Sequence, residues 1–441
     1  MGVDVIKTVN LAMAHIVVKN PIINDNNETK KEYLDRLSHY LTIGNWNKRK
    51  YEMSGMQAYR QIILNSSDIK QEKPIEFYKY YILLDLIHIL GYEIKNISSD
   101  KIKNLKKQYL LDFKEAHGDI FQKIINLTQG NEKRITYLLK NEQLKNEKEY
   151  IKLIRKNIIF RNTKPLKIMV TATMSAGKST FINSLIGKYV CLSQNMACTS
   201  KIHSIINKSF EDGYSSEYDY DLVMTAGKEE LLNDNEENET NMIYVATNYR
   251  GSLSNFRIIV NDSPGVNFSG NNEHKELSEN LIKRKKYDLL MYVMNATQLG
   301  TNDDDEHLNY VKQSIGRKPI IFIMNKMDAF DLDEENVSDI INKQITYLKA
   351  KGFKNPVVCP MSARAGYLAK ISSQKELLRS ERRELNNYID KFEIMKLEEY
   401  YKKNFPKIFI KDSLNEEEQL LKTCGLLYVE QIIKTYFKGG K

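Results

Sequence analysis

The chain has 441 residues, a formal net charge of +9 and 28% charged residues, a size that accommodates two or three domains with their own cores. No apolar run reaches the length of a membrane-spanning helix, and Cys191, Cys198, Cys359 and Cys424 stand without metal or redox spacing, which predicts a reduced, cytoplasmic chain without structural zinc. The basic balance fits an anionic membrane surface or a merely solvated lysine-rich face, and nucleic acid is not an expected partner because no nucleic-acid module is recognisable.

The N-terminal stretch MGVDVIKTVNLAMAHIVVKNP lacks a basic start and a cleavage site, so it reads as a buried helix and not as a leader. From Glu28 to Asn162 the pattern is helical, and Phe77 to Leu90 is apolar nearly all round, as a central buried helix would be. His88 in that stretch is expected to be a core histidine. Residues 1–162 are therefore predicted to form a helical domain, a bundle or a stalk-like element, ending at the polar break before Pro165. Residues 163–441 are predicted to be an α/β domain with a mostly parallel sheet and insertions near 208–250 and 366–418. Its expected strands are Leu166–Thr171, Ile202–Ile206, Phe256–Asn261, Asp288–Asn295, Pro319–Asn325 and Pro356–Met361. Glu211 to Glu239 reads as an acidic insertion and Gln374 to Lys403 as a charged, solvated lid helix. Leu420 to Phe437 reads as one closing amphipathic helix.

Chemistry concentrates in Lys167–Gly187, KIMVTATMSAGKSTFINSLIG: an apolar strand, a loop with Ala176, Gly177, Lys178, Ser179 and Thr180, and an amphipathic helix. This is the pattern of a P-loop, in which loop N–H groups cradle phosphates, Lys178 adds a point charge and Ser179 ligates Mg²⁺. The glycine that usually opens the pattern is replaced by Ala172. Further on, DSPGV ends a strand with Asp262, suited to hold Mg²⁺, and with Gly265, whose N–H can approach a γ-phosphate. NKMD follows a buried strand, and its Asp328 carboxylate can accept from both guanine N1–H and the exocyclic amine, with Asn325 and Lys326 bracing the loop. Ser362 and Ala363, in MSARA, stand where a last-strand loop would face the guanine O6. Thr199 is the candidate switch threonine for Mg²⁺ and the γ-phosphate. Val266 occupies the position where Ras-like GTPases carry a water-orienting glutamine, so the catalytic arrangement must come from elsewhere, such as a second copy.

The motifs TMSAGKSTFINSLIG, ACTSKI, DSPGV and NATQLGTNDDDEHL ahead of NKMD resemble the dynamin superfamily, in particular its bacterial dynamin-like members. The resemblance covers Leu166 to Arg364 and the closing helix near Gly425. It implies a GTPase that turns GTP and water into GDP and phosphate, with Mg²⁺, activated when G domains dimerise and acting in membrane remodelling or at a membrane surface. It also implies a catalytic role for Ser175 in holding a monovalent cation, K⁺ or Na⁺, while the neighbouring water-positioning glutamine is replaced by Met174. Asp303 to Asp305 fall where dynamins make contacts across the dimer. The family's long stalk is missing, so a second dynamin-like or stalk-bearing protein is an expected partner. The alternative reading is a non-membrane GTPase switch that controls a protein bound by the helical domain.

Overall fold

The computed structural model describes residues 14–44, 50–66, 72–90, 99–114, 119–125, 132–173, 175–191, 202–218, 222–226, 242–263, 272–298, 300–332, 335–373, 376–411 and 414–437. Contacts divide the chain into two units, one of residues 1–163, 209–216 and 222–225, the other of residues 164–208, 217–221 and 226–441.

Among the described residues the first unit holds α1 (Asn27–Ile43), α2 (Lys50–Leu64), α3 (Lys79–Ile89), α4 (Ser99–Asp112), α5 (Asp119–Ile125), α6 (Glu132–Leu139) and α7 (Lys148–Asn162). The segment that reads apolar all round becomes α3, and every residue from Tyr80 to Ile89 is buried. Uniform hydrophobicity leaves such a helix nowhere to lie but the middle of a bundle. His88 is buried there, its ring 6.0 Å from that of Tyr59 and 6.5 Å from that of His15. One acid, Asp85, shares the core and gathers polar groups from three other helices. Its carboxylate accepts from Tyr33 Oη at 2.5 Å, from Tyr59 Oη at 2.9 Å, from Asn20 Nδ2 at 2.8 Å and from the Tyr150 hydroxyl. A buried carboxylate is tolerable only with such partners.

The second unit is built on a sheet. The six strands expected from sequence are present as β1 (Leu166–Ala172), β2 (Ile202–Asn207), β6 (Ile258–Asp262), β7 (Leu289–Asn295), β8 (Ile320–Asn325) and β9 (Val357–Pro360). A further strand of this unit, β5 (Met242–Thr247), follows the stretch read as an acidic insertion; β3 (Ser215–Tyr218) and β4 (Leu222–Ala226) lie within that stretch, and residues 215–216 and 222–225 of them belong to the first unit. β3 (SSEY) is short and polar, whereas β5 (MIYVAT) is as long as β2 and apolar yet was not read from the sequence; residues 219–221 and 227–239 of that stretch lie outside the described residues. Within the second unit the strand order is β5-β2-β6-β1-β7-β8-β9. β1 runs parallel to β6 and β7, and β8 runs parallel to β7 and β9. β2 is parallel to β5 but antiparallel to β6, so the sheet is mixed and mostly parallel.

The helices around it are α8 (Lys178–Ile186), α9 (Asn272–Arg284), α10 (Asn302–Ile315), α11 (Val337–Ala350), α12 (Ala363–Ser372), α13 (Arg379–Met395), α14 (Leu397–Asn404), α15 (Glu416–Thr423) and α16 (Leu426–Tyr436). The closing segment expected as one helix is two, α15 and α16, broken at Gly425. That residue has φ 90°, and a Cβ there would stand 2.4 Å from the Pro360 carbonyl oxygen. A left-handed backbone this close to β9 requires glycine and ends the helix. The stretch read as a solvated lid is α13 with α14, and it is anchored: Leu385, Phe392 and Met395 are buried in the core of this unit.

Candidate functional site

The sheet brings the chemistry-bearing residues to the carboxyl ends of its strands, where open α/β sheets bind ligands. Asp262 is the register partner of Val170 at the end of β1, and Asn325 that of Asn295 at the end of β7. Between β1 and α8 the chain turns through Ser175 at φ 61° and Gly177 at φ 85°. Glycine is required at the second position for two reasons. The left-handed backbone disfavours a side chain, and a Cβ at Gly177 would stand 2.4 Å from Asn325 Nδ2. Ser175, an exposed L-residue in that same region of backbone space, marks the strained point of the loop.

α8 then begins with Lys178, Ser179 and Thr180, so its first N–H groups and the positive end of its dipole face the loop. Lys178 is 8% exposed and its ammonium pairs with the fully buried Asp262 through Oδ1. The other oxygen, Asp262 Oδ2, is buried and takes no N–H or O–H donor, and the Cys191 thiol lies against this carboxyl. A buried carboxylate oxygen of this kind is a donor suited to a hard cation, while the N–H groups at the start of α8 suit an anion. Ala176 is buried, and its carbonyl accepts from Asn325 Nδ2 at 3.0 Å. Asn325 Oδ1 accepts from the Ala363 N–H at 2.9 Å. One amide thus ties the loop after β1 to the loop after β9.

Lys326 follows at φ 67° and opens the short helix Met327–Ala329 that carries the half-exposed Asp328. Ser362 is buried, caps α12 by accepting from Ala365 N at 3.1 Å, and donates its own N–H to the Cys424 carbonyl at 3.0 Å. Ala363, in the first turn of α12, is buried beside it. Among the expected site residues, Ala176, Gly177, Lys178, Ser179, Thr180, Ser175, Asp262, Asn325, Lys326, Asp328, Ser362 and Ala363 therefore stand along one end of the sheet. Thr199 and Gly265, together with Met174 and Val266, lie outside the described residues.

Several contributors had no local signature. Lys391 of α13 donates to the Asp328 carbonyl at 2.7 Å, and Arg364 makes a two-pronged pair with Glu384 at 3.0 and 2.7 Å. The Arg364 guanidinium holds the Glu384 carboxyl below its ordinary range. Burial and, after it, the Asp328 carboxylate push the Tyr388 phenol up. α13 is thus fastened over the loop that carries Asp328. Thr173, in the loop itself, donates to Asp304 Oδ1 at 2.8 Å. Asp304 is 4% exposed, and Asp305 pairs with Lys351 at 2.7 Å and accepts from the Tyr347 hydroxyl. These two acids are engaged within the unit, Asp304 as a support for the phosphate loop.

A sheet whose first strand passes through a left-handed glycine into a lysine-led helix, with an acid from the neighbouring strand at its side, defines a P-loop nucleotide-binding domain. Residues 168–327 match the model of the dynamin family. The chain is 25% identical over 215 residues to the probable transmembrane GTPase FZO-like, chloroplastic, of Arabidopsis thaliana, covering 49% of this chain and 21% of that protein. It is likewise 25% identical over 201 residues to the bifunctional enzyme NodQ of Rhizobium tropici, covering 46% of this chain and 29% of that protein. The chain thus spans less than a third of the length of either relative. A solved structure of an oligomerised bacterial dynamin pair, described as a mechanism for long-range sensing and tethering of membranes, aligns with 93% of this chain and 62% of that one at 18% identity and a TM-score of 0.39.

Proposed function

We propose that the chain binds GTP, hydrolyses it to GDP and phosphate, and does so faster when two G domains pair, as a dynamin-like protein acting at a membrane surface. The observation that carries this reading is Asn325, whose one amide holds Ala176 of the phosphate loop and Ala363 of the last-strand loop on either side of Lys326 and Asp328. A phosphate cradle and a guanine-accepting carboxylate are thereby set on one framework. Lys178 and the N–H groups of α8 would bind the β- and γ-phosphates, Asp328 would read the base, and Ser362 and Ala363 would line its O6 edge. Ser179 and Asp262, with Thr199, would hold Mg²⁺, which neutralises charge on the phosphate oxygens when bound. Ser175, displayed at the loop's exposed turn, is the proposed seat of a K⁺ or Na⁺ ion at a paired interface. Among the described residues no helix is long and apolar enough to cross a membrane, and the membrane role is that of a peripheral, cytoplasmic protein.

GTP turnover per molecule, measured over a hundredfold dilution series with and without K⁺ and anionic vesicles, tests this reading. Turnover per molecule should rise with protein concentration and rise further with K⁺ and vesicles. A flat specific activity indifferent to both would leave a GTPase switch for a protein partner as the better account.

A further inference from the structure

Cys191, His203 and Asp262 are far apart in sequence, and their spacing carries no metal signature. In the fold they converge. The Cys191 sulfur, a His203 ring nitrogen and an Asp262 carboxylate oxygen all lie within 4.8 Å of one another, and all three side chains are buried. Each is set by an independent constraint. His203 and Asp262 are direct register partners across the antiparallel β2–β6 pair, so their side chains project to the same face. Cys191 is gripped at both backbone groups by one side chain of α8: Asn183 Oδ1 accepts from Cys191 N at 2.8 Å, and Asn183 Nδ2 donates to Cys191 O at 2.8 Å. Lys178 engages Asp262 Oδ1, which leaves the buried Oδ2 on the other side.

We infer that Cys191, His203 and Asp262 form a binding site for a borderline-soft divalent cation such as Zn²⁺, sharing Asp262 with the proposed Mg²⁺ position. A thiolate, an imidazole and one carboxylate are the donor types that Zn²⁺ prefers over Mg²⁺, and three protein ligands leave a fourth position for water. Tetrahedral zinc bonds of about 2.0–2.3 Å place ligand atoms roughly 3.3–3.8 Å apart, so binding draws the three groups closer than the 4.8 Å within which they lie. Binding exchanges the Cys191 S–H bond for a sulfur–metal bond, and the proton leaves to solvent. No electron is transferred. A cation bound here ties β2, β6 and the segment after α8 together and withdraws Asp262 from Mg²⁺, so Zn²⁺ acts as an inhibitor that locks the phosphate site. The coordination stands apart from the GTPase reading, and only the competition with Mg²⁺ rests on it.

The test uses the full chain, stripped of metal with a chelator and titrated with Co²⁺ as a spectroscopic stand-in, then with Zn²⁺ against a chromogenic chelator. The wild type should show the near-ultraviolet sulfur-to-cobalt charge-transfer band. Cys191→Ser should lose it and Cys198→Ser should keep it. Loss of an outer partner of a metal ligand already lowers affinity about 10–100-fold, so Cys191→Ser and His203→Gln should each weaken Zn²⁺ by at least about tenfold. Excess Mg²⁺ should weaken Zn²⁺ binding to the wild type. A wild type without the band overturns the site whatever the variants do, as does a band that survives Cys191→Ser. If Zn²⁺ binds as described but Mg²⁺ does not compete, the cation site stands and the Mg²⁺ assignment of Asp262 fails.

Discussion

Gly177 shows how one residue without a side chain holds two elements in place. Its φ of 85° and the 2.4 Å that would separate an added Cβ from Asn325 Nδ2 are separate obstacles to any substitution. Gly177→Ala should push Asn325 off the Ala176 carbonyl and open the phosphate loop. We expect GTP affinity to fall at least about tenfold, or about 1.4 kcal/mol. Titration of the folded variant with a fluorescent GTP analogue reads this, and unchanged affinity would show that the loop tolerates the displacement. The glycine and the lysine beside it were legible because the phosphate motif is local, the run from Ala172 to Ser179, whose spacing is fixed by one turn. Asn183, Asp304 and Glu384 were not legible. Each is one of many polar residues on a helix, and only the packed structure says that it meets Cys191, Thr173 or Arg364.

At the scale of elements, the helical unit carries its own electrostatic signature. Burial pushes the Asp85 carboxyl up to about 6, against the opposing effect of its hydrogen bonds from Tyr150, Tyr33, Tyr59 and Asn20. A folded-state value above the unfolded one means that the folded unit holds the proton more tightly. The associated stability is full below the ordinary carboxylate range and is lost as pH rises through about 6. A shift of this size corresponds to roughly 3 kcal/mol, as an order of magnitude. Hydrogen exchange in peptides from α1, α3 and α7, corrected for intrinsic rates, should show more protection at pH about 5 than at about 8. Burial also pushes the Glu147 carboxyl, at the start of α7, up to about 7, so Asp85→Asn should reduce that difference and the double change with Glu147→Gln should flatten it, and an unchanged pH profile in Asp85→Asn would remove Asp85 as a source. Sequence and structure agree best for elements with a long, uniform pattern. β1, β7 and β8 are continuous apolar runs, and α3 is apolar all round. The antiparallel placement of β2 beside β6 was hidden, because an apolar run does not state its direction. β3 was hidden by its brevity and polarity, and β4 and β5 by the acidic stretch between them, since β5 is as long as β2. The break at Gly425 was hidden because only contact with Pro360 forces it.

For the whole molecule, the central claim is that residues 168–327, with the loops after β8 and β9, make one guanine-nucleotide site. The sheet's strand ends supply the framework, α13 closes over the Asp328 loop through Lys391 and Arg364, and the phosphate loop is propped by Asn325 and Asp304. Every part of that arrangement converges on the prediction that this chain distinguishes guanine from other bases through one carboxylate. Binding of GTP, ATP and xanthosine triphosphate to the wild type and to Asp328→Asn is the most direct measurement. The wild type should prefer GTP over ATP by at least about a hundredfold, since ATP leaves the carboxylate without its donor pair. Asp328→Asn should lose GTP affinity and gain xanthosine triphosphate, whose base presents the complementary pattern. A wild type indifferent to the base, or a variant with its GTP preference intact, would contradict the account.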